Sequence, residues 1–167
     1  GLIFAESKPG NGTTFTILLP KSAHESSTVT ESTELKPQAK LTARKNETIL
    51  LVDDETDILK ITRTNLENLG YRVLTANNGD EALEVVQSSE NIDLLFTDIV
   101  MPGKLNGYEL AEAAIVVRPA LKLLFTTGYA KVENKITRED WLNALIQKPY
   151  RSSELSKKIR ETLDKQT

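Results

Sequence analysis

The chain contains 167 residues, enough for one domain of ordinary size and a tail. Its 21 Lys and Arg residues are balanced by 24 Asp and Glu residues, and the net charge of −3 gives no indication of nucleic-acid binding. No apolar run approaches the ~18 residues of a membrane span, and the absence of cysteine excludes disulfides, thiol catalysis and cysteine-ligated zinc. We therefore expect a cytoplasmic segment without a nucleic-acid or membrane partner.

Composition divides the chain into three zones. Residues 1–20 hold two short apolar stretches around Pro-Gly-Asn-Gly, which predicts a β-hairpin. Residues 21–46 are rich in Ser, Thr, Lys and Glu without a hydrophobic period, which predicts a disordered linker. Residues 47–167 are predicted to form the folded domain. Because the sequence begins at Gly1 in mid-pattern, we interpret it as part of a longer protein.

From Thr48 onward, apolar strands alternate with helical patterns. A polar, weakly periodic segment at 130–143 occupies the place of a further helix. Continuous apolar strands separated by helices indicate a parallel sheet covered on both faces, so we predict a doubly wound (βα)5 α/β domain with five strands. The predicted strands are 48–52, 72–76, 93–97, 121–126 and 144–147, and the predicted helices are 57–70, 79–89, 107–117 and 152–163.

Polar side chains follow four of the five predicted strands. Asp53 and Asp54 follow the first strand, Asp98 the third, Thr127 the fourth and Lys148 the fifth. Ligands of open α/β sheets bind beyond the carboxyl ends of the strands. We therefore expect these side chains to form one site. Asp53 and Asp54 could instead cap the following helix, and Thr126 leaves the position of the hydroxyl uncertain by one residue.

The expected cluster of carboxylates needs positive charge. Each pair of carboxylates would repel by about 4 kcal/mol at 4 Å and an effective dielectric constant near 20. Lys148 supplies one charge, and hard oxygen ligands without His or Cys indicate Mg²⁺ as the source of the remainder. A carboxylate beside Mg²⁺ and a fixed ammonium is a competent nucleophile towards a phosphoryl group.

Four sequence blocks resemble those of the response-regulator receiver domain. They are "ILLVDDE", "FTDIVMPG" with the following Asn-Gly, "FTTGYA" and "IQKPY", and the resemblance covers about residues 48–165. It implies the flavodoxin-like receiver fold and a role in two-component or phosphorelay signalling. It also implies that Asp98 is the acceptor of a phosphoryl group from phosphohistidine. In the family the bond between this lysine and the following proline is commonly cis, which Lys148 and Pro149 allow.

The same resemblance implies a role for each site residue. Thr127 and Lys148 would contact the phosphoryl oxygens. The Mg²⁺ ligands would be Asp53, Asp54, Asp98 and the backbone carbonyl of Val100.

Three features concern the behaviour of such a receiver. Leu145 occupies a position that is often aromatic in the family, where the ring takes part in the activation switch. Gly107 lies nine residues after Asp98, a spacing often seen in receivers fused to kinases. Val100 and Tyr129 are bulky residues two positions beyond Asp98 and Thr127. We expect them to exclude attacking water and to give a slowly hydrolysing aspartyl phosphate.

The amino-terminal stretch "GLIFAESKPGNGTTFTILLP" resembles the closing hairpin of the histidine-kinase ATP-binding domain. Its position before a receiver indicates a hybrid sensor histidine kinase as the parent protein. Since the other ATP-binding elements are missing, we expect no ATP-dependent kinase activity from this segment. The expected partners are the phosphohistidine domain of a histidine kinase, in cis or in trans, and a histidine phosphotransfer protein.

Two other functions fit parts of the pattern. A haloacid-dehalogenase-type phosphatase also uses an aspartyl phosphate, but it needs a second carboxylate two residues after the nucleophile, where this chain has Val100. A pseudo-receiver would use the same fold as a protein-interaction module without phosphorylation. The presence of Asp53, Asp54, Asp98, Thr127 and Lys148 favours the phosphorylated receiver.

Overall fold

The computed structural model describes most of the chain. Contacts within the chain divide it into two units, Gly1–Gln38 and Ala39–Thr167. Most of the predicted linker, Tyr129 and nearly all of the predicted helix at 130–143 lie outside the described residues. The described residues are 1–10, 12–19, 43–44, 46–128, 141 and 143–165.

The first unit contains the predicted hairpin. Strand β1 (Leu2–Lys8) pairs antiparallel with β2 (Gly12–Leu18), from Leu2 opposite Leu18 to Lys8 opposite Gly12. Both strands are exposed along their whole length, and an isolated hairpin is marginally stable in water. The large apolar side chains that are between 51% and 66% exposed are Leu2, Ile3, Phe4, Phe15, Ile17 and Leu18.

The second unit contains the predicted parallel sheet. The strands lie in the order β4-β3-β5-β6-β7, and every neighbouring pair is parallel. This order places the first strand of the unit beside the second and third, as in a doubly wound sheet. The strands are β3 (Thr48–Val52), β4 (Arg72–Ala76), β5 (Leu94–Asp98), β6 (Lys122–Thr127) and β7 (Leu145–Gln147).

Helices cover both faces of this sheet. Ile49 and Leu51 of β3 point to the face covered by α1 and α4, and Leu50 and Val52 point to the face covered by α2 and α3. Burial on both faces explains why β3 and β5 are apolar without alternation. The helices are α1 (Thr56–Asn68), α2 (Gly79–Gln87), α3 (Gly107–Val117) and α4 (Ser152–Asp164).

Several predicted boundaries were wrong. Strand β5 begins after Asp93, whose carboxylate accepts a hydrogen bond from the backbone N–H of Thr48 (2.8 Å). It ends one residue later than predicted, at Asp98, because Asp98 pairs with Thr126 of β6. Strand β6 likewise ends at Thr127, and α2 ends at Gln87. Ile61 of α1 is exposed although it is a large apolar residue. No helix in the described ranges has the length and apolar character needed to cross a membrane.

An ion pair joins the start of the domain to its last helix. Both carboxylate oxygens of Glu47, the residue before β3, accept hydrogen bonds from the guanidinium of Arg160 in α4, at 2.7 and 2.8 Å. Arg160 also pairs with Asp164 at 3.0 Å. The hydrogen bonds from Arg160 hold the pKa of Glu47 below its ordinary value of 4.5, although partial burial acts against this.

We expect Glu47→Gln to lower the free energy of unfolding at neutral pH by about 1–3 kcal/mol, since it weakens hydrogen bonds to a charged group. A lowered folded-state pKa gives stability that is present above the unfolded pKa and lost as the pH falls through the folded one. Urea unfolding measured between about pH 7 and pH 3 should therefore show a smaller loss on acidification in the variant than in the wild type.

Glu90→Gln is the matched control, because Glu90 forms an exposed ion pair with Arg72. Such surface pairs contribute about 0–1 kcal/mol, so this change should leave the acid dependence almost unaltered. If the free energy of unfolding fell equally on acidification in the wild type and in Glu47→Gln, the lowered pKa of Glu47 would be contradicted.

Candidate functional site

The carboxyl ends of the parallel strands bring the predicted site residues to one edge of the sheet. Asp53 directly follows β3, Asp98 ends β5, Thr127 ends β6 and Lys148 directly follows β7. Carboxylate oxygens of Asp53, Asp54 and Asp98 all lie within 4.8 Å of one another. Asp53 and Asp98 are 3% and 7% exposed, so two of the three acids are removed from bulk water.

Lys148 connects two of these acids. Its Nζ donates to Oδ2 of Asp53 and to Oδ2 of Asp98, both at 2.7 Å. Its backbone N–H donates to the carbonyl oxygen of Thr127 at 2.8 Å, which holds the start of the loop after β7 against β6. Burial acts against the ammonium charge, but the hydrogen bonds to Asp53 and Asp98 outweigh it, and the pKa of Lys148 is raised. The lysine is therefore fully charged at neutral pH.

The remaining oxygens of the two buried acids accept backbone hydrogen bonds. Oδ1 of Asp53 accepts from the N–H of Glu55 at 3.0 Å, and Oδ1 of Asp98 accepts from the N–H of Val100 at 3.2 Å. The N-cap residue of α1 is Glu55, and no side chain caps this helix. Asp53 therefore does not act as the helix cap that its position also allowed.

Gly107 lets the start of α3 approach the carbonyl of Asp98. A Cβ at Gly107 would lie 2.1 Å from the Asp98 carbonyl oxygen and 2.9 Å from Cα of Ile99. Asn106 caps the helix: its Oδ1 accepts from the N–H groups of Tyr108 and Glu109. The sequence signal for this steric role is a glycine directly after a capping asparagine.

The two threonines at the end of β6 point to opposite faces of the sheet, as neighbours in a strand do. Thr127 lies on the face of Phe125, and Thr126 on the face of Leu124. Both threonines are 2% exposed. Thr126 pairs with Asp98 in the strand register, and its Oγ1 has no hydrogen-bond partner in the described residues. The contact of Thr127 with a phosphoryl oxygen stays a prediction.

Leu145, at the position where the family often has an aromatic residue, packs beside three rings. The ring centroids of Tyr108, Phe125 and Trp141 are 5.1 to 5.8 Å apart, and Leu145 is partly buried against them. Burial raises the pKa of Tyr108 to about 12. The Val100 side chain is 54% exposed, and slow hydrolysis caused by Val100 and Tyr129 stays a prediction.

The donor set fits a hard divalent cation. Three carboxylates and one ammonium leave two negative charges at the site. Oxygen ligands without nitrogen or sulfur are those that Mg²⁺ prefers, and Mg²⁺ usually keeps waters and shares a phosphate. The residues that could hold it are Asp53, Asp54 and Asp98, while the carbonyl of Val100 stays a predicted ligand.

Comparison with known proteins agrees with this geometry. Residues 49–160 match the response regulator receiver domain family. The chain is 31% identical over 173 residues to the sensor kinase CckA of Brucella abortus, a match covering 99% of this chain and 18% of the kinase. It is also 37% identical over 116 residues to the response regulator receiver protein CpdR of the same organism, covering 69% of this chain and 95% of CpdR.

A solved structure shows the same fold. The response regulator TrrA of Thermotoga maritima, crystallised in complex with Mg²⁺-BeF, has a TM-score of 0.62 and 32% sequence identity, and the match covers 70% of this chain and 98% of TrrA.

Proposed function

Because the chain belongs to the response regulator receiver domain family, we propose that it accepts a phosphoryl group from a phosphohistidine onto Asp98 in a Mg²⁺-dependent reaction. The observation that carries this proposal is the ammonium of Lys148, which lies 2.7 Å from oxygens of both Asp53 and Asp98. It orients a buried carboxylate at the open edge of the sheet, where a phosphoryl donor can reach it.

The reaction is a transfer between two nucleophiles. A carboxylate oxygen of Asp98 forms a bond to phosphorus while the P–N bond of the phosphohistidine breaks, and the bonding electrons remain on the imidazole nitrogen. Lys148 and the hydroxyl of Thr127 would contact the phosphoryl oxygens and stabilise their charge. Mg²⁺ bound by Asp53, Asp54 and Asp98 would supply further positive charge to these oxygens.

The parent protein we propose is a hybrid sensor histidine kinase, so that the activity belongs to two-component or phosphorelay signalling. The match to the CckA kinase covers almost the whole chain, including the hairpin and the linker as well as the receiver. Since the apolar side chains of the hairpin are exposed, it fits a role as the last piece of a larger ATP-binding domain at residues 1–20. The flexible linker would be 21–46 and the receiver 47–167.

The partners we propose follow from this parent. A phosphohistidine domain of the kinase would donate the phosphoryl group. The receiver would then switch conformation or pass the group to a histidine phosphotransfer protein.

The experiment that tests the function is an intact-mass spectrum after incubation with acetyl phosphate, with and without Mg²⁺. We expect the addition of one phosphoryl group only in the presence of Mg²⁺. A folded protein that binds Mg²⁺ but takes up no phosphoryl group from either acetyl phosphate or a phosphorylated histidine phosphotransfer protein would contradict the proposal and favour a pseudo-receiver.

Mg²⁺ binding itself should stabilise the domain. A ligand that binds only the folded state at 100 times its Kd adds about 2.7 kcal/mol to the free energy of unfolding. We expect the Tm of the wild type to rise with Mg²⁺ at constant ionic strength, and Asp53→Asn to lose most of this rise. Asp57→Asn is the control, because Asp57 is an almost fully exposed acid in the first turn of α1. An equal rise in all three proteins would place the cation elsewhere.

A further inference from the structure

Thr97, the residue before Asp98, places a hydroxyl group in an apolar strand. The three residues before it in β5, Leu94, Leu95 and Phe96, are fully buried, and Thr97 itself is 1% exposed. A buried hydroxyl is costly unless it is hydrogen-bonded, so without a bond valine, which has nearly the same shape, would be favoured here. The hydroxyl of Thr97 donates to the backbone carbonyl oxygen of Asp98 at 2.9 Å. This bond accounts for a polar residue at the position.

Thr97 lies on the face of the sheet that α2 and α3 cover. Leu95, two residues earlier, packs in the core beneath these helices, and side chains two residues apart in a strand share a face. Gly107, the first residue of α3, approaches the same carbonyl oxygen, since a Cβ there would lie 2.1 Å from it. The carbonyl of Asp98 is therefore contacted by both the Thr97 hydroxyl and the start of α3.

The peptide group that joins Asp98 to Ile99 is held at both of its polar atoms. Its oxygen accepts from the Thr97 hydroxyl, and its N–H, on Ile99, donates to the carbonyl oxygen of Thr126 at 3.0 Å. Because a peptide group is planar, fixing both atoms fixes the orientation of the whole plane. The next N–H along the chain, on Val100, donates to Oδ1 of Asp98 at 3.2 Å. The orientation of this plane therefore sets both the backbone of Asp98 and the N–H that orients its carboxylate.

We propose that Thr97 is a positioning residue for Asp98: its hydroxyl holds the peptide plane after Asp98, so that the carboxylate keeps one direction of attack on the phosphoryl group. This inference rests on the proposed function. The ammonium of Lys148 and the N–H of Val100 bind the two carboxylate oxygens, but they hold the carboxylate in place only if the backbone that carries it does not rotate. A nucleophile that is already oriented lowers the barrier, because no rotation has to be frozen during the reaction.

Two variants of Thr97 separate the hydroxyl from the packing of the methyl group. Thr97→Val keeps the shape and loses the hydroxyl, whereas Thr97→Ser keeps the hydroxyl and loses a buried methyl group. With acetyl phosphate and saturating Mg²⁺, we expect the maximal rate of adduct formation to fall about 3- to 10-fold in Thr97→Val and to stay near the wild-type rate in Thr97→Ser. The half-saturating acetyl phosphate concentration should change in neither variant, because the Thr97 side chain is buried and cannot reach the donor.

Thr48→Val is the matched control for the loss of a buried hydroxyl. Thr48 is 2% exposed and begins β3, at the opposite end of the sheet from Asp98, so the rate should not change in this variant. If Thr97 acted only through stability, the rate would follow the urea midpoint of unfolding, and the loss of the methyl group in Thr97→Ser would lower the rate as well. A wild-type rate in Thr97→Val, or a lower rate in Thr97→Ser than in Thr97→Val, would overturn the proposal.

An NMR measurement without phosphorylation separates this inference from the proposed function. The ¹³C shift of a backbone carbonyl depends on the hydrogen bond that it accepts. We expect the Asp98 carbonyl signal to move in Thr97→Val by more than the same substitution causes in an unfolded peptide, and to stay in place in Thr97→Ser and Thr48→Val. If the wild type takes up no phosphoryl group, the proposed function fails, and the carbonyl signal alone decides whether Thr97 holds the peptide plane. An unchanged Asp98 carbonyl signal in Thr97→Val would overturn the inference.

Discussion

Asp98→Asn should give no phosphoryl adduct under conditions where the wild-type protein is fully modified. The amide that replaces the carboxylate is not a competent nucleophile, although it keeps nearly the same volume and can still accept a hydrogen bond from the N–H of Val100. Intact-mass spectrometry after incubation with acetyl phosphate and Mg²⁺ would measure the effect directly. We expect the mass peak of the phosphorylated protein to be absent in the variant.

Asp93→Asn is the matched control for this loss. Asp93 lies five residues earlier, at the other end of β5, where its carboxylate accepts from the N–H of Thr48. This change removes the same charge from the same strand region without touching the acidic site, so the adduct should form at the wild-type rate. If Asp98→Asn formed as much Mg²⁺-dependent adduct as the wild type, another residue would be the phosphoryl acceptor.

Gly107→Ala should be the most destabilising of the conservative changes considered. A methyl group at this position would lie 2.1 Å from the carbonyl oxygen of Asp98, and the atoms it meets are backbone atoms that cannot rotate away. The start of α3 and the end of β5 must therefore separate. We expect a loss of about 2–4 kcal/mol in the free energy of unfolding, measured by urea denaturation.

The same change should slow phosphorylation, because it moves the backbone that carries the acceptor. Gly128→Ala is the control: among the described residues, a Cβ there would meet no atom within 4 Å. We expect this control to be neutral or stabilising by up to about 1 kcal/mol. Equal stability of the two variants would show that the approach of α3 to Asp98 is looser than the structure indicates.

The sequence was sufficient for the fold class because the relevant signals are local and repeated. Strands 48–52 and 72–76 and helix 107–117 have the predicted bounds, since turn residues or a capping residue lie directly beside them. Gly70, two residues after the last residue of α1, has a φ of 92°, as expected of a glycine that follows a helix. The boundaries at Asp93 and Thr127 were predicted wrongly. These two residues accept hydrogen bonds from Thr48 and Lys148, which are distant in sequence, and no local sequence pattern predicts such bonds.

The acidic edge could be predicted for a different reason. In a parallel sheet the carboxyl ends of all strands meet at one edge, so polar residues at strand ends must come together. This rule placed Asp53, Asp54, Asp98, Thr127 and Lys148 correctly at one edge without any knowledge of distances. It could not indicate that Lys148 bridges Asp53 and Asp98 at 2.7 Å, because the position of a strand end does not determine side-chain distances.

By itself, the sequence determined the alternating elements, the parallel sheet and the identity of the acidic cluster. The reason is that the hydrophobic period and the polar residues at the strand ends are patterns of consecutive residues. Only the tertiary structure decided which residues brace that cluster. Lys148 contacts Asp53 and Asp98, 95 and 50 residues away in sequence, and Gly107 brings the start of α3 against the carbonyl of Asp98. Such contacts depend on packing between layers, where distances of a few ångströms decide the outcome and local patterns carry no information.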